Sequence, residues 1–254
     1  MTAETQKKII NKSSSRPSES KIRFFFATYL IPLLVFSIGA IPFFLWLLLM
    51  FFLYLITLNT ILYFIITPII FTLSIFILIV SEILISGTII KLFNIKYEEG
   101  TYEYSVNNNE VFKWMLILQL YTPIRKILEI IPMRYIKVVY LRLLGMKIGE
   151  NTLVGGVIRD PCLTEVGNNV TMGDYVIVYC HMHNKAEGTI AIKKIKIGNN
   201  CIVGAGAIIM PGVVMEDNAI LAAGGVVKKN SVLQKNKIYG GNPAQEIKLF
   251  KKKQ

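Results

Sequence analysis

The chain has 254 residues, of which 53% are apolar and only 17% charged, and its 28 Lys and Arg against 16 Asp and Glu give a net charge of +12. This balance excludes an ordinary soluble domain. The lysines are spread over the ends and the flanks of one apolar tract without a nucleic-acid-binding motif, which points to anionic lipid or an anionic cosubstrate and not to nucleic acid.

In chain order, residues 1–23 read as a basic, Ser-rich, disordered tail carrying Lys7, Lys8, Lys12, Arg16, Lys21 and Arg23. From Phe24 to Ser81 there is no Asp, Glu, Lys, Arg or His. About 20 apolar residues suffice to cross a bilayer, so residues 24–93 are too long for one span and long enough for two, or at most three. A secretory signal peptide is a poor alternative, given that length and the lack of a small-residue cleavage pattern. Two spans are expected, at roughly 25–52 and 62–90, with the turn at "ITLNT" (56–60) and with Pro32, Pro42 and Pro68 as possible kinks. Basic residues flank both ends of the hairpin (Lys91 and Lys96 on the far side), which puts both termini and the second half of this integral membrane protein in the cytoplasm. Cys162, Cys180 and Cys201 then read as reduced core or near-core thiols. Residues 94–145 read as an amphipathic helical connector.

From Ile148 the sequence acquires a period of six. Aliphatic residues open the units at 148, 154, 166, 172 and 178 and again at 197, 203, 209, 215, 221, 227 and 233; Asp160 is the one polar opener. The fifth position is small or β-branched, as at Thr164, Val170, Val176, Cys201, Ala207 and Ala219. A helix needs a period near 3.6 and a simple strand a period of two. A period of six is a short strand plus a tight turn, with three units closing one triangular coil of a parallel β-helix. Val178 and Ile197 are nineteen residues apart, three units plus one, so "NKAEGTIAIKK" must leave the coil as a loop. The chain's only histidines, His181 and His183, stand at its root.

This repeat resembles the hexapeptide-repeat acyltransferase superfamily over residues 148–248, including "GVVMEDNAILAAGGVVKKNSV" and the closing "YGGNPAQEIK". Upstream, "LFNIKYEEGTYEY", with its Y-x₂-G-x-Y element, and "YLRLLGMKIG" are similar to the connector of membrane-anchored members, the membrane-bound terminal domain of poly-lysine synthetase-type proteins among them. The resemblance implies a left-handed parallel β-helix over 146–245, followed by a basic tail at 246–254. It also implies a homotrimer with sites between neighbours, and O- or N-acyl transfer from acetyl-CoA or another acyl-CoA, without a metal. A membrane-associated hydroxyl or amine, such as that of a lipid-linked sugar, would accept the acyl group.

Within that resemblance His181 matches a strand-end histidine seven residues after Asp174, and His183 matches an alternative pattern in "HNKAEG". An acceptor that attacks a thioester must lose a proton, and imidazole takes it near neutral pH. His181 is the preferred base, with His183 the alternative. Asp160 either orients a histidine across the coil or is a salt-bridged turn residue. Ala205 and Ala223 fall along the pantetheine groove, with Gly224 beside them; Lys228, Lys229 and Lys248 fall near the CoA phosphates; Asn242 and Pro243, in "GGNPA", border the site. Zinc-dependent carbonic anhydrases share the fold but need three histidine ligands, and this chain has two. A non-catalytic trimeric membrane scaffold is the competing function.

Overall fold

The computed structural model describes residues 17–57, 60–131 and 133–247. The tail before residue 17, Leu58 and Asn59 of the expected turn, and the C-terminal segment with Lys248 lie outside the described residues.

The apolar tract folds into two antiparallel stretches of helix. The first runs over Glu19–Ile56 and the second over Thr60–Leu92, each long and apolar enough to cross a membrane. The first comprises α1 (Pro17–Phe25), a π turn (Phe26–Leu30), α2 (Ile31–Gly39) and α3 (Ile41–Thr57). Its breaks fall before Pro32 and Pro42, where a missing N–H spoils the helical ladder. The second stretch is α4 (Thr60–Leu92), with Pro68 inside it. Residues 17–23, expected in the disordered tail, are helical. Arg23 explains the extension: its guanidinium donates to the Asn107 carbonyl (3.1 Å) and to Asn109 Oδ1 (2.7 Å), and it lies over the Phe112 ring. Between the two stretches, Ser81 Oγ donates to the Gly39 carbonyl (2.7 Å) and Trp46 Nε1 to Ser74 Oγ (3.0 Å). Such polar bonds hold apolar helices together where hydrophobic burial alone does not.

The connector holds β1 (Gly100–Glu103), α5 (Asn109–Ile130) and α6 (Arg134–Leu143). Asn108 caps α5 by accepting from the Glu110 and Val111 amides. The last helix returns onto α4 at Gly87, where a Cβ would come within 2.8 Å of the Leu143 side chain.

Beyond residue 146 the chain is a three-faced parallel β-helix. One face stacks β2 (Lys147–Ile148), β4 (Thr164–Val166), β9 (Ile195–Ile197), β12 (Val214–Met215) and β15 (Val232–Leu233). A second stacks β3 (Val157–Ile158), β6 (Ile177–Val178), β11 (Ile208–Ile209) and β14 (Val226–Val227). The third stacks β5 (Thr171–Met172), β10 (Ile202–Val203), β13 (Ile220–Leu221) and β16 (Ile238–Gly240), and β17 (Gln245–Glu246) turns back on its edge. The period-six openers from Val166 to Leu233 fill the coil interior, each less than a twentieth exposed.

The structure departs from the six-residue reading twice. In the first coil the interior residue level with Val178 is Ile158, and Asp160 lies two residues further on. Gly155 and Gly156 tighten the preceding turn, where a Cβ on Gly156 would fall 2.0 Å from the Val176 carbonyl oxygen. A 3₁₀ turn at Pro161–Leu163 then restores the spacing to β4. The second departure is the expected loop at 184–194, which is a β-hairpin of β7 (His181–Asn184) and β8 (Thr189–Ile192). Alternation in "TIAI" buries Ile190 and Ile192 completely. Its outer edge is covered by β1, antiparallel to β8, with Gly100 opposite Ile192 and Tyr102 opposite Ile190.

Candidate active site

Asp160 has no solvent exposure and accepts three hydrogen bonds from the chain around it. The Tyr97 hydroxyl donates to Oδ1 (2.7 Å) and the Cys180 amide to Oδ2 (2.9 Å). The third partner is His181, whose Nδ1 stands 2.9 and 2.8 Å from the two carboxylate oxygens. A carboxylate fixes the Nδ1–H tautomer and leaves the Nε2 lone pair free. A buried acid without partners would be costly; with three donors it is a rigid anchor for the imidazole.

The backbone makes this meeting possible. Tyr179, Cys180 and His181 continue from β6 past the corner where Arg159 and Asp160 leave β3, and the Arg159 amide donates to the Val178 carbonyl at 3.0 Å. Trp114 from α5 meets the His181 ring edge-on at 5.0 Å and Tyr179 meets it at 6.2 Å. The His181 side chain is 14% exposed. His183, two residues along β7 and exposed, touches Tyr104 (4.7 Å between ring centroids) and Trp114 (5.6 Å) and stands 5.9 Å from His181. Partial burial, and then the neighbouring imidazole, hold the His183 pKa below the ordinary histidine value.

Tyr97 belongs to the Y-x₂-G-x-Y element, whose structural logic is local. The Tyr102 ring curls back over Gly100, where a Cβ would meet it at 2.7 Å, and its hydroxyl donates to the Glu98 carbonyl. Burial first, and Asp160 second, hold the Tyr97 pKa far above that of an ordinary phenol, so it remains a donor. Burial also pushes the Cys162 thiol up to about 11 and the Cys180 thiol well above its usual value. Neither is an activated nucleophile.

The structure thus brings together Asp160, His181 and His183. The residues expected along the CoA path divide between two corners. Ala205, Ala223 and Gly224 are exposed at the corner that precedes β11 and β14, where the Gly224 amide donates to the Ala205 carbonyl at 2.9 Å. A Cβ on Gly224 would meet nothing within 4 Å, so this corner is an open ledge. Lys228 and Lys229 are exposed at the opposite corner, after β14, on the side where β6 leads to the histidines. Asn242 and Pro243 lie in the exposed turn that closes the last coil, held by Val226 N–H to Gly241 O and Ala244 N–H to Val226 O. Sequence reasoning overlooked Tyr97, Tyr104 and Trp114. The tyrosine element carried a signal for Tyr97; Trp114 reads only as part of an amphipathic helix.

A family model described as bacterial transferase hexapeptide (six repeats) matches residues 194–229, the segment from β9 to β14. None of the curated proteins matches the chain. Among solved structures, a maltose O-acetyltransferase from Clostridium difficile is 24% identical, over 61% of this chain and 94% of that one, with a TM-score of 0.42. A galactoside acetyltransferase in complex with coenzyme A is 22% identical, over 44% of this chain and 70% of that one, with a TM-score of 0.34. The acetyltransferase domain of PglB from Neisseria gonorrhoeae, in complex with acetyl coenzyme A, is 14% identical, over 39% and 44%, with a TM-score of 0.31.

Proposed function

We propose that the protein is an integral-membrane acyltransferase of the hexapeptide-repeat kind, which moves an acetyl group from acetyl-CoA to a hydroxyl or amine of a membrane-associated acceptor. The observation that carries this reading is the buried Asp160 held against His181 Nδ1 at 2.8 Å, in a solenoid whose repeats match a transferase model. A scaffold has no use for a buried carboxylate aimed at a histidine.

The chemistry follows from the geometry. As the acceptor oxygen or nitrogen attacks the thioester carbonyl, its proton passes to His181 Nε2. The tetrahedral intermediate collapses, the C–S bond breaks, and the CoA thiolate leaves and takes that proton from the imidazolium. Asp160 stabilises the imidazolium in between. A thiolate leaves readily, so positioning of the two substrates supplies the rest of the acceleration without a covalent intermediate.

In this reading CoA lies in a groove between subunits of a left-handed, trimeric solenoid. The ledge of Ala205 and Ala223 receives the pantetheine chain, and Lys228 and Lys229, with Lys248 from the C-terminal tail, meet the phosphates. Two considerations support it: ledge and lysines stand at opposite corners of one face, and three such faces about a three-fold axis juxtapose unlike corners. The apolar hairpin crosses the membrane, with the solenoid and both termini in the cytoplasm. The exposed Tyr104 ring beside His183 suits a sugar ring on a lipid-linked acceptor. The Y-x₂-G-x-Y element and "YLRLLGMKIG" are what support kinship with the membrane-anchored members, the terminal domain of poly-lysine synthetase-type proteins among them.

The test is acetyl-CoA-dependent labelling of lipid and glycan extracts from membranes with and without the protein, followed by mass spectrometry. A new acetylated species only where the protein is present is expected. Identical extracts, with no release of CoA thiol, would refute the reading.

A further inference from the structure

A cavity of about 450 Å³ lies between α5, α6 and the first two coils, at the far end of α5 from Trp114. That volume is within the usual range for small-molecule sites. We propose that this cavity binds the phosphate-bearing head of an anionic membrane lipid, with Tyr175 at its mouth.

Its walls are mostly apolar, with Leu128, Met133, Leu141, Leu153 and Val154 among them. Three cations also line it, Arg125, Arg134 and Lys137, against the carboxylates Glu129 and Asp174. Arg125 is ion-paired with Glu129. Lys137 donates to the Gly156 carbonyl at 2.6 Å, and no ion pair engages it or Arg134 among the described residues. Apolar walls with two cations lacking salt-bridge partners match an amphiphile whose head is a phosphate ester.

Tyr175 is the second observation. Its φ is +60°, and the other seven non-glycine residues with positive φ among those described are all asparagines. At the same corner, two residues before their strands, the next coils have glycine: Gly206 (φ +69°) and Gly224 (φ +68°). A tyrosine in this conformation is strained, yet it buries nothing in its own chain and is 83% exposed. A bound molecule at the cavity gives the ring something to cover.

Location supplies the third. Tyr140 lines the cavity and also touches the end of α4, its hydroxyl 3.4 Å from Ser86 Oγ. The cavity is therefore one side chain from the apolar hairpin, within reach of a lipid head in the adjoining leaflet. This inference rests on reading that hairpin as membrane-embedded.

Full-length protein in detergent is titrated with dioleoyl phosphatidic acid, dioleoyl phosphatidylcholine and inorganic phosphate, and lipid adducts are counted by native mass spectrometry. We expect one phosphatidic acid per protomer, bound at least tenfold more tightly than phosphatidylcholine and undisturbed by millimolar phosphate. Tyr175→Gly should keep or raise the melting temperature, because glycine suits the turn, while weakening phosphatidic acid binding about tenfold. Arg134→Gln with Lys137→Gln should remove the preference for phosphatidic acid. Equal binding of both lipids to the wild type, displacement by inorganic phosphate, or unchanged binding in both variants would overturn the inference. Binding is read without turnover, so a chain that binds the lipid but transfers no acetyl group fails the proposed activity and not this site.

Discussion

Asp160 joins a connector residue, a coil amide and a histidine at one carboxylate. It is buried, it accepts from Tyr97, Cys180 and His181, and it lies two residues past the aliphatic row of the coil interior. Asp160→Asn keeps the shape but offers the wrong group to Nδ1. It should lower turnover about 10²-fold or more while CoA affinity, measured by calorimetry, stays within about twofold. Tyr97→Phe removes one donor from a buried carboxylate. The expected loss is about 2 kcal/mol of stability in denaturant unfolding, with a smaller effect on turnover than Asp160→Asn. For His183 the folded-state pKa is lowered, so the unfolded chain takes up a proton that the folded chain refuses. Its stabilising contribution is full above the ordinary histidine value and is lost as pH falls through that value toward the lowered one. In ¹⁵N-resolved NMR titration, the His183 ring should change charge at lower pH than a free histidine.

At the scale of elements, legibility followed periodicity. Thirteen openers, six residues apart on either side of one break, can be read as a solenoid because each interior position must be apolar and each turn small. The same rule marked Asp160 as the exception, though it placed that residue in the opener row, which in the structure belongs to Ile158. A Gly-Gly turn that shortens a coil by two residues and a 3₁₀ turn that restores them leave the total count unchanged, so spacing alone cannot reveal them. The nineteen-residue interval correctly located an excursion, but not its form. Only the pairing of β8 with β1, some ninety residues upstream in sequence, shows that the hairpin has a covered edge and that the connector forms one wall of the site. Contacts between segments so distant leave no local pattern. Trp114 and Tyr104 reach the histidines by that route, which is why the residues themselves gave no sign of it.

At the scale of the whole molecule, a solenoid follows two apolar helices, and under the proposed function the acceptor arrives from the bilayer and CoA from the aqueous side. Residues 5–20 and the solenoid should be on the same, cytoplasmic side. Single cysteines placed there in a chain whose native cysteines are replaced should be unreactive to an impermeant maleimide outside sealed right-side-out vesicles and reactive after permeabilisation. Labelling of either segment from outside would refute the two-span topology. In the proposed function His181, set by Asp160, is the base for acyl transfer. The most direct test of this role is the steady-state rate of acetyl transfer by purified His181→Ala and His183→Ala variants in native membrane extract, with CoA binding measured alongside. The expected result is a turnover about 10²-fold or more below wild type for His181→Ala, a smaller loss for His183→Ala, and near-unchanged CoA affinity in both. Full activity in His181→Ala, or an inactive His183→Ala beside an active His181→Ala, would contradict it.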